Sequence, residues 1–197
     1  MNDPSSLPAI RHIVVDRDGT LNREAREGWV DSVDAWEWLP GSLEAMQLLA
    51  EDGFLVSVAT NQSGIGRGVV AADQVASVHD HMQRDLRDRG VELVGLYVCP
   101  HAPDEGCECR KPKPGLVRRA IRDSGIGADA TMLIGDDARD LEAGREAGAR
   151  VALVCTGKGS RFKNSVDRDT LVFENLLEAA ETISRTAGHP PPRSHDA

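Results

Sequence analysis

The chain has no run approaching the roughly 20 consecutive apolar residues that span a bilayer. Its opening residues, MNDPSSLPAIRH, have neither the basic start nor the apolar segment of a secretory leader. These absences predict a cytoplasmic protein with no membrane partner. Positive charge is also in short supply: 23 Lys and Arg stand against 32 Asp and Glu, a net charge of −9, and aromatic residues make up only 4%. Such a field repels polyanions at long range, which counts against nucleic acid as a partner and leaves room for a local basic pocket around a small anion. Cysteine is scarce, with 4 in 197 residues. At this length a single domain buries a full core without disulfide help, so those cysteines are free for another task.

What is present alternates. Residues 10–16, 54–60, 93–99, 131–136 and 151–155 are short apolar runs of the kind that form buried strands. Between them, residues 42–52, 72–89, 116–123 and 140–146 have helical patterning, and 174–186 predicts a last helix. In the second of these, Val75, Val78, Met82 and Leu86 fall three and four apart on one face. Alternation of strand and helix predicts an α/β fold, a parallel sheet with helices on both faces, and a site beyond the carboxyl ends of the strands. Residues 1–9 are expected to be a polar lead, 10–187 one domain, and 188–197 (GHPPPRSHDA) a mobile tail. A small domain of this kind is expected to be a monomer.

The strand ends carry the chemistry. The first run closes on Asp16-Arg17-Asp18-Gly19-Thr20. In extended backbone Asp16 and Asp18 share a side, and two carboxylates held so close invite a divalent cation with oxygen preference, such as Mg²⁺. The fourth run ends at Gly135-Asp136-Asp137, and adjacent parallel strands bring Asp136 beside Asp16. Thr60, Asn61, Gln62 and Ser63 offer hydroxyl, amide and N–H donors, and Arg110 and Lys111 offer fixed positive charge. Together they predict a pocket for a small phosphorylated metabolite, with Asn61, Gln62, Ser63 and Arg110 contacting the substrate. Once Mg²⁺ and Lys111 mask its charge, Asp16 can attack phosphorus to give an aspartyl-phosphate. Asp18 is placed to protonate the leaving alkoxide and then to activate water. Cys99 and His101, five intervening residues, then Cys107 and Cys109 supply three thiolates and one imidazole, a closed tetrahedral set that suits a structural Zn²⁺.

The set Asp16-Arg17-Asp18-Gly19-Thr20, Thr60-Asn61-Gln62-Ser63-Gly64-Ile65, Lys111 and Gly135-Asp136-Asp137 resembles, in that order, the four motifs of the haloacid dehalogenase (HAD) superfamily of phosphatases. From about residue 10 to 157 it is most similar to the small capless branch acting on heptose 1,7-bisphosphate or histidinol phosphate. The resemblance implies a Rossmann-like HAD fold without a cap, with a zinc-binding loop over the site. It implies Asp16 as nucleophile, Asp18 as general acid and base, and Thr60 and Lys111 stabilising the transferring phosphoryl group. Mg²⁺ would be held by the carboxylates of Asp16 and Asp136 and the carbonyl of Asp18, and Arg110 would recognise the rest of the substrate. The expected reaction is removal of the 7-phosphate of D-glycero-D-manno-heptose 1,7-bisphosphate, with histidinol phosphate or another small sugar phosphate as the alternative. One departure from the branch is Asp137, where heptose bisphosphatases often carry Lys.

Other residues are expected to be structural. His12 takes no role, His79 and His81 belong to a solvated or partly buried helix face, and Cys155 belongs to the core. Residues 24–27 predict a charged, solvated turn, and Lys158, Arg161 and Lys163 a solvent-facing basic run. Trp29, Trp36 and Trp38 lie in the loop after the first strand, where packing and contact with a sugar are both open.

Overall fold

The structure, a computed structural model, describes residues 10–25 and 28–186. The expected lead, the expected tail and part of the 24–27 turn lie outside the described residues. A six-stranded parallel sheet runs through the molecule in the order β3-β2-β1-β4-β5-β6. Its strands are β1 (His12–Val15), β2 (Leu55–Asn61), β3 (Leu93–Cys99), β4 (Thr131–Gly135), β5 (Arg150–Val154) and β6 (Leu171–Phe173). Strands β1 and β4 are the central pair and fully buried, so their sequences are largely apolar on both faces rather than alternating.

The helices are α1 (Ser42–Glu51), a single turn α2 (Ser63–Gly66), α3 (Ala72–Asp88), α4 (Gly115–Ser124), α5 (Ala138–Glu146) and α6 (Leu176–Thr186). Alternate residues of β1 divide them. Ile13 and Val15 pack into the core formed with Met46 and Leu49 of α1, Val78, Met82 and Leu86 of α3, and Ala180 and Ile183 of α6. Val14 faces the opposite core, with Leu116, Val117 and Ala120 of α4 and Ala143 of α5. Period two in the strand and period 3.6 in the helices therefore meet as the sequence predicts.

Element ends depart from expectation, with β1 spanning only His12–Val15 of 10–16 and α5 beginning at Ala138 rather than at 140. Strand β6 is an addition, since three residues are too few to carry a readable period, and its pairing with β5 supplies the signal instead. Helix α6 begins at Leu176 rather than at 174.

The register sets the site. Val15 pairs with Val58 and with Ile134, and Asp16 N donates to Ile134 O at 2.9 Å, so β1 and β4 end together while β2 runs on to Asn61 beside them. Their next residues converge at one edge. Gly19 turns the chain there with φ of +86°, and a Cβ on it would overlap the Asp136 carboxylate, so only glycine fits.

Candidate active site

Lys111 is the hub. Its side chain is 2% exposed and its Nζ donates to Asp16 Oδ1 at 2.6 Å and to the Ala59 carbonyl at 2.7 Å, with Asp140 Oδ1 also at 2.6 Å. The carboxylates of Asp16, Asp136 and Asp140 lie within 4.8 Å of one another. One ammonium among three buried carboxylates leaves negative charge in excess, and the titration reflects it. Burial, followed by the charge of Asp140, pushes Asp16 up to about 7, and burial with Asp16 pushes Asp136 up to about 8. Burial opposes the Lys111 ammonium, but Asp140 and Asp16 outweigh it and hold its pKa above the ordinary lysine value. A clustered, oxygen-only donor set that is short of positive charge fits a hard divalent cation such as Mg²⁺.

Asp18 faces a different set of partners. Arg17 donates to its Oδ1 through Nε at 3.2 Å and Nη2 at 2.8 Å, and Asn22 Nδ2 adds a third donor at 3.0 Å. Its Oδ2 accepts from Gln62 Nε2 at 2.8 Å. Burial works against the charge of Asp18, but Arg17, Asn22 and Gln62 prevail and hold its pKa below the ordinary aspartate value. The two acids of the first motif are therefore poised oppositely although they are two residues apart.

A cavity of about 440 Å³ opens above them, lined by all the expected pocket residues: Asp16, Asp18, Thr60, Asn61, Gln62, Ser63, Arg110, Lys111 and Asp136. Two amides of the lining also brace the site. Asn61 uses both ends of its side chain on the main chain of Lys111, at 3.0 and 3.1 Å, and so clamps the loop that carries the lysine. Gln62 spans Asp18 and Thr60 Oγ1, both at 2.8 Å. Both polar atoms of Asn61 and the Nε2 of Gln62 thus have partners within the protein, while both residues line the cavity. Ser63 opens α2, and Arg110 lines the wall beside Lys111.

Several residues at the site were missed or misjudged. Asp140 is buried and closes a capping box with Asp137 at the start of α5, which turns its carboxylate back toward Lys111. An acid at the third helical position after an Asp N-cap was a readable signal. Asp137 is paired through Nε and Nη2 of Arg139, so its charge is neutralised at the rim. Lys158 leaves the expected solvent-facing run: its N–H donates to Asp136 Oδ2 at 2.7 Å and its ammonium pairs with Glu24 across the cavity mouth. His79 is buried, where a solvated or partly buried helix face was expected. Cys155 is half-buried rather than core, because it leaves the end of β5. Of the tryptophans, only Trp29 lines the cavity, whereas Trp36 and Trp38 pack edge to face at 5.0 Å.

Beside this site, Cys99, His101, Cys107 and Cys109 converge. Their Sγ and Nδ1 atoms stand 3.3 to 3.7 Å apart along four edges. A tetrahedron with about 2.3 Å from centre to sulfur and about 2.0 Å to nitrogen has edges of about 3.5 to 3.8 Å, so the set fits zinc. Strand β3 delivers Cys99, and the cluster is tied to the pocket: Gln62 N donates to Cys99 O at 2.7 Å, and Gly66 N to Pro100 O at 2.8 Å.

A family model described as HAD-hydrolase-like matches residues 108–179. The chain is 40% identical over 182 residues to the D-glycero-beta-D-manno-heptose-1,7-bisphosphate 7-phosphatase of Neisseria meningitidis serogroup A, covering 90% of this chain and 97% of that one. It is 38% identical to the enzyme of the same name from Pseudomonas putida, covering 87% and 98%. Among solved structures, the D,D-heptose 1,7-bisphosphate phosphatase of B. bronchiseptica in complex with magnesium and phosphate superposes with a TM-score of 0.84 at 37% identity, over 89% of this chain and 99% of that one.

Proposed function

Because the chain belongs to the family of D-glycero-beta-D-manno-heptose-1,7-bisphosphate 7-phosphatases among the HAD-like hydrolases, we propose that it removes the 7-phosphate of that sugar through an aspartyl-phosphate on Asp16. The observation that carries the chemistry is the Lys111 ammonium, 2.6 Å from both Asp16 and Asp140 at the edge where the strands end. Similarity along nearly the whole length of the relatives carries the choice of substrate.

Lys111 engages Oδ1 of Asp16, which leaves Oδ2 to attack phosphorus as the bond from phosphorus to the C7 oxygen breaks. The carboxylates of Asp16 and Asp136 and the carbonyl of Asp18 would hold Mg²⁺, whose charge masks that of carboxylate and phosphate as they approach. Thr60, buried beside the Gln62 amide, and Lys111 face the phosphoryl oxygens. In the free protein Asp18 is ionised. The negative charge of an entering phosphate opposes its donors and raises the proton affinity of Oδ2, the oxygen with a single protein donor. From there Asp18 gives a proton to the departing sugar alkoxide. It then takes one from the water that attacks the aspartyl-phosphate, which releases phosphate and restores Asp16.

Arg110, at the wall, and Trp29, at the mouth, are positioned for the rest of the sugar phosphate. The thiolates and imidazole of the neighbouring cluster would hold a structural Zn²⁺ that fixes the loop presenting Arg110 and Lys111. No helix among the described residues is long and apolar enough to cross a membrane; the proposed reading is of a cytoplasmic monomer acting on a metabolite. Phosphate release with Mg²⁺ tests the reading: kcat/KM is expected to favour the beta anomer of heptose 1,7-bisphosphate over the alpha anomer and over histidinol phosphate. A preference for histidinol phosphate would overturn the substrate assignment.

A further inference from the structure

Arg17 is a buried cation that touches the catalytic carboxylate from behind. Its side chain is 1% exposed, and every polar contact it makes is internal. Nε and Nη2 both converge on Asp18 Oδ1, the guanidinium lies 5.9 Å from the centre of the Trp36 ring, and Nη1 stands 2.8 Å from Nε2 of His79. His79 comes from α3, on the face that also buries Val75, Val78, Met82 and Leu86.

The chemistry of that last contact is fixed. Guanidinium only donates, so His79 Nε2 must carry a lone pair and the imidazole must be the neutral Nδ1–H tautomer. Burial, helped by the charge of Arg17, pushes His79 down to about 4, and the accepting form therefore persists through the physiological range.

The orientation of the arginine matters more than its charge. The edge of a guanidinium that carries Nε and Nη2 ordinarily grips a carboxylate by both oxygens. Here both donors fall on one oxygen, and Oδ2 is left to Gln62 and the cavity. Among the described residues, the far corner, Nη1, is the only part of the guanidinium with a partner other than Asp18 or an aromatic face, so it sets the rotation.

We propose that His79 is a positioning residue for Asp18, acting through Arg17: it anchors Nη1 so that the guanidinium grips Oδ1 alone and leaves Oδ2 turned toward the leaving group. Without that acceptor, a buried N–H is stranded and the fork turns to take both oxygens of Asp18. The proposal rests on the assignment of Asp18 as general acid.

The test uses leaving groups. A sugar alkoxide needs a proton as it departs, whereas p-nitrophenolate does not. In Mg²⁺-saturated single turnovers, His79→Leu, which has no acceptor, is expected to slow alcohol release from heptose 1,7-bisphosphate at least about tenfold, with KM within about threefold. The same variant should lower the p-nitrophenolate burst from p-nitrophenyl phosphate by less than about threefold. His79→Gln, whose amide oxygen accepts from Arg17, should restore most of the lost rate. His79→Met, similar in volume, replaces the leucine variant if the latter shows no cooperative melt. Equal losses on both substrates, or none on either, would overturn the proposal. Failure of the substrate reading shows separately, in wild-type protein that releases no heptose, and the comparison is then made on whichever alkyl phosphate the wild type hydrolyses.

Discussion

The carboxylate cluster and the sulfur cluster lie on either side of Arg110 and Lys111, yet they are assembled in opposite ways. The sulfur cluster takes all its ligands from residues 99–109, a span of one strand end and one loop. The carboxylate cluster draws on β1, on the end of β4 and on α5, and its lysine is 95 residues from Asp16 in sequence. The second carries its own cation, with Lys111 between Asp16 and Asp140, while the first has only thiols and an imidazole facing one another. The fold thus holds the carboxylates in place by itself, and the metal they attract serves chemistry. A sulfur loop holding the proposed Zn²⁺ would depend on that metal for its shape, and its contribution to activity would be indirect.

Substitutions should separate these roles. The largest effect is expected from Asp16→Asn, which removes the nucleophile. Phosphate release should fall by at least about 10³-fold. The melting temperature should hold or rise, because one of three crowded acids has lost its charge. A variant that unfolds instead would mean that the cluster is structural first.

Lys111→Met comes next. It leaves Asp16 and Asp140 buried without their cation and should cost about 3 to 5 kcal/mol in urea denaturation, along with most activity. Unchanged stability would break the claim that the carboxylate cluster is self-supporting.

A third prediction probes the opposite end of β1. His12 is buried, with Nε2 2.9 Å from Ser57 Oγ, and burial pushes it down to about 4. The unfolded chain therefore takes up a proton at a pH where the native protein resists it. Stability should fall as pH drops from about 6.5 toward about 4, by up to about 3 kcal/mol. His12→Gln should remove that share of the fall, leaving the like contribution of His79 and both clusters in place, a result readable from denaturation midpoints across pH.

The smallest effect is assigned to the sulfur loop. Cys107→Ser, or stripping of zinc by a chelator with Mg²⁺ restored, should lower the melting temperature by about 5 °C and kcat by about tenfold. Full activity and an unchanged melt after verified removal of zinc would erase the distinction between the clusters.

The two clusters were also unequally legible in the sequence. Cys99, His101, Cys107 and Cys109 announce themselves by spacing alone, because all the ligands are local. Asp16, Asp136 and Lys111 were found through strand-end placement and motif order, which encode topology. The residues that hold them were not. Asp140 is reached only by following the cap of α5, and the amides of Asn61 and Gln62 turn inward toward partners 50 and 44 residues away. His79 sits in a helix whose period is plain, but its burial is decided by Arg17 arriving from 62 residues earlier. Local patterning fixes which face a residue occupies, and only tertiary contact fixes what a polar side chain on that face does.

The most direct test of the central claim is an acid-quenched single turnover with heptose 1,7-bisphosphate carrying ³²P at the 7-phosphate and Mg²⁺ present. The account predicts a transient phosphoprotein whose label maps to the peptide containing Asp16 and vanishes in Asp16→Asn. Full phosphate release with no labelled protein, or label on any other residue, would contradict it.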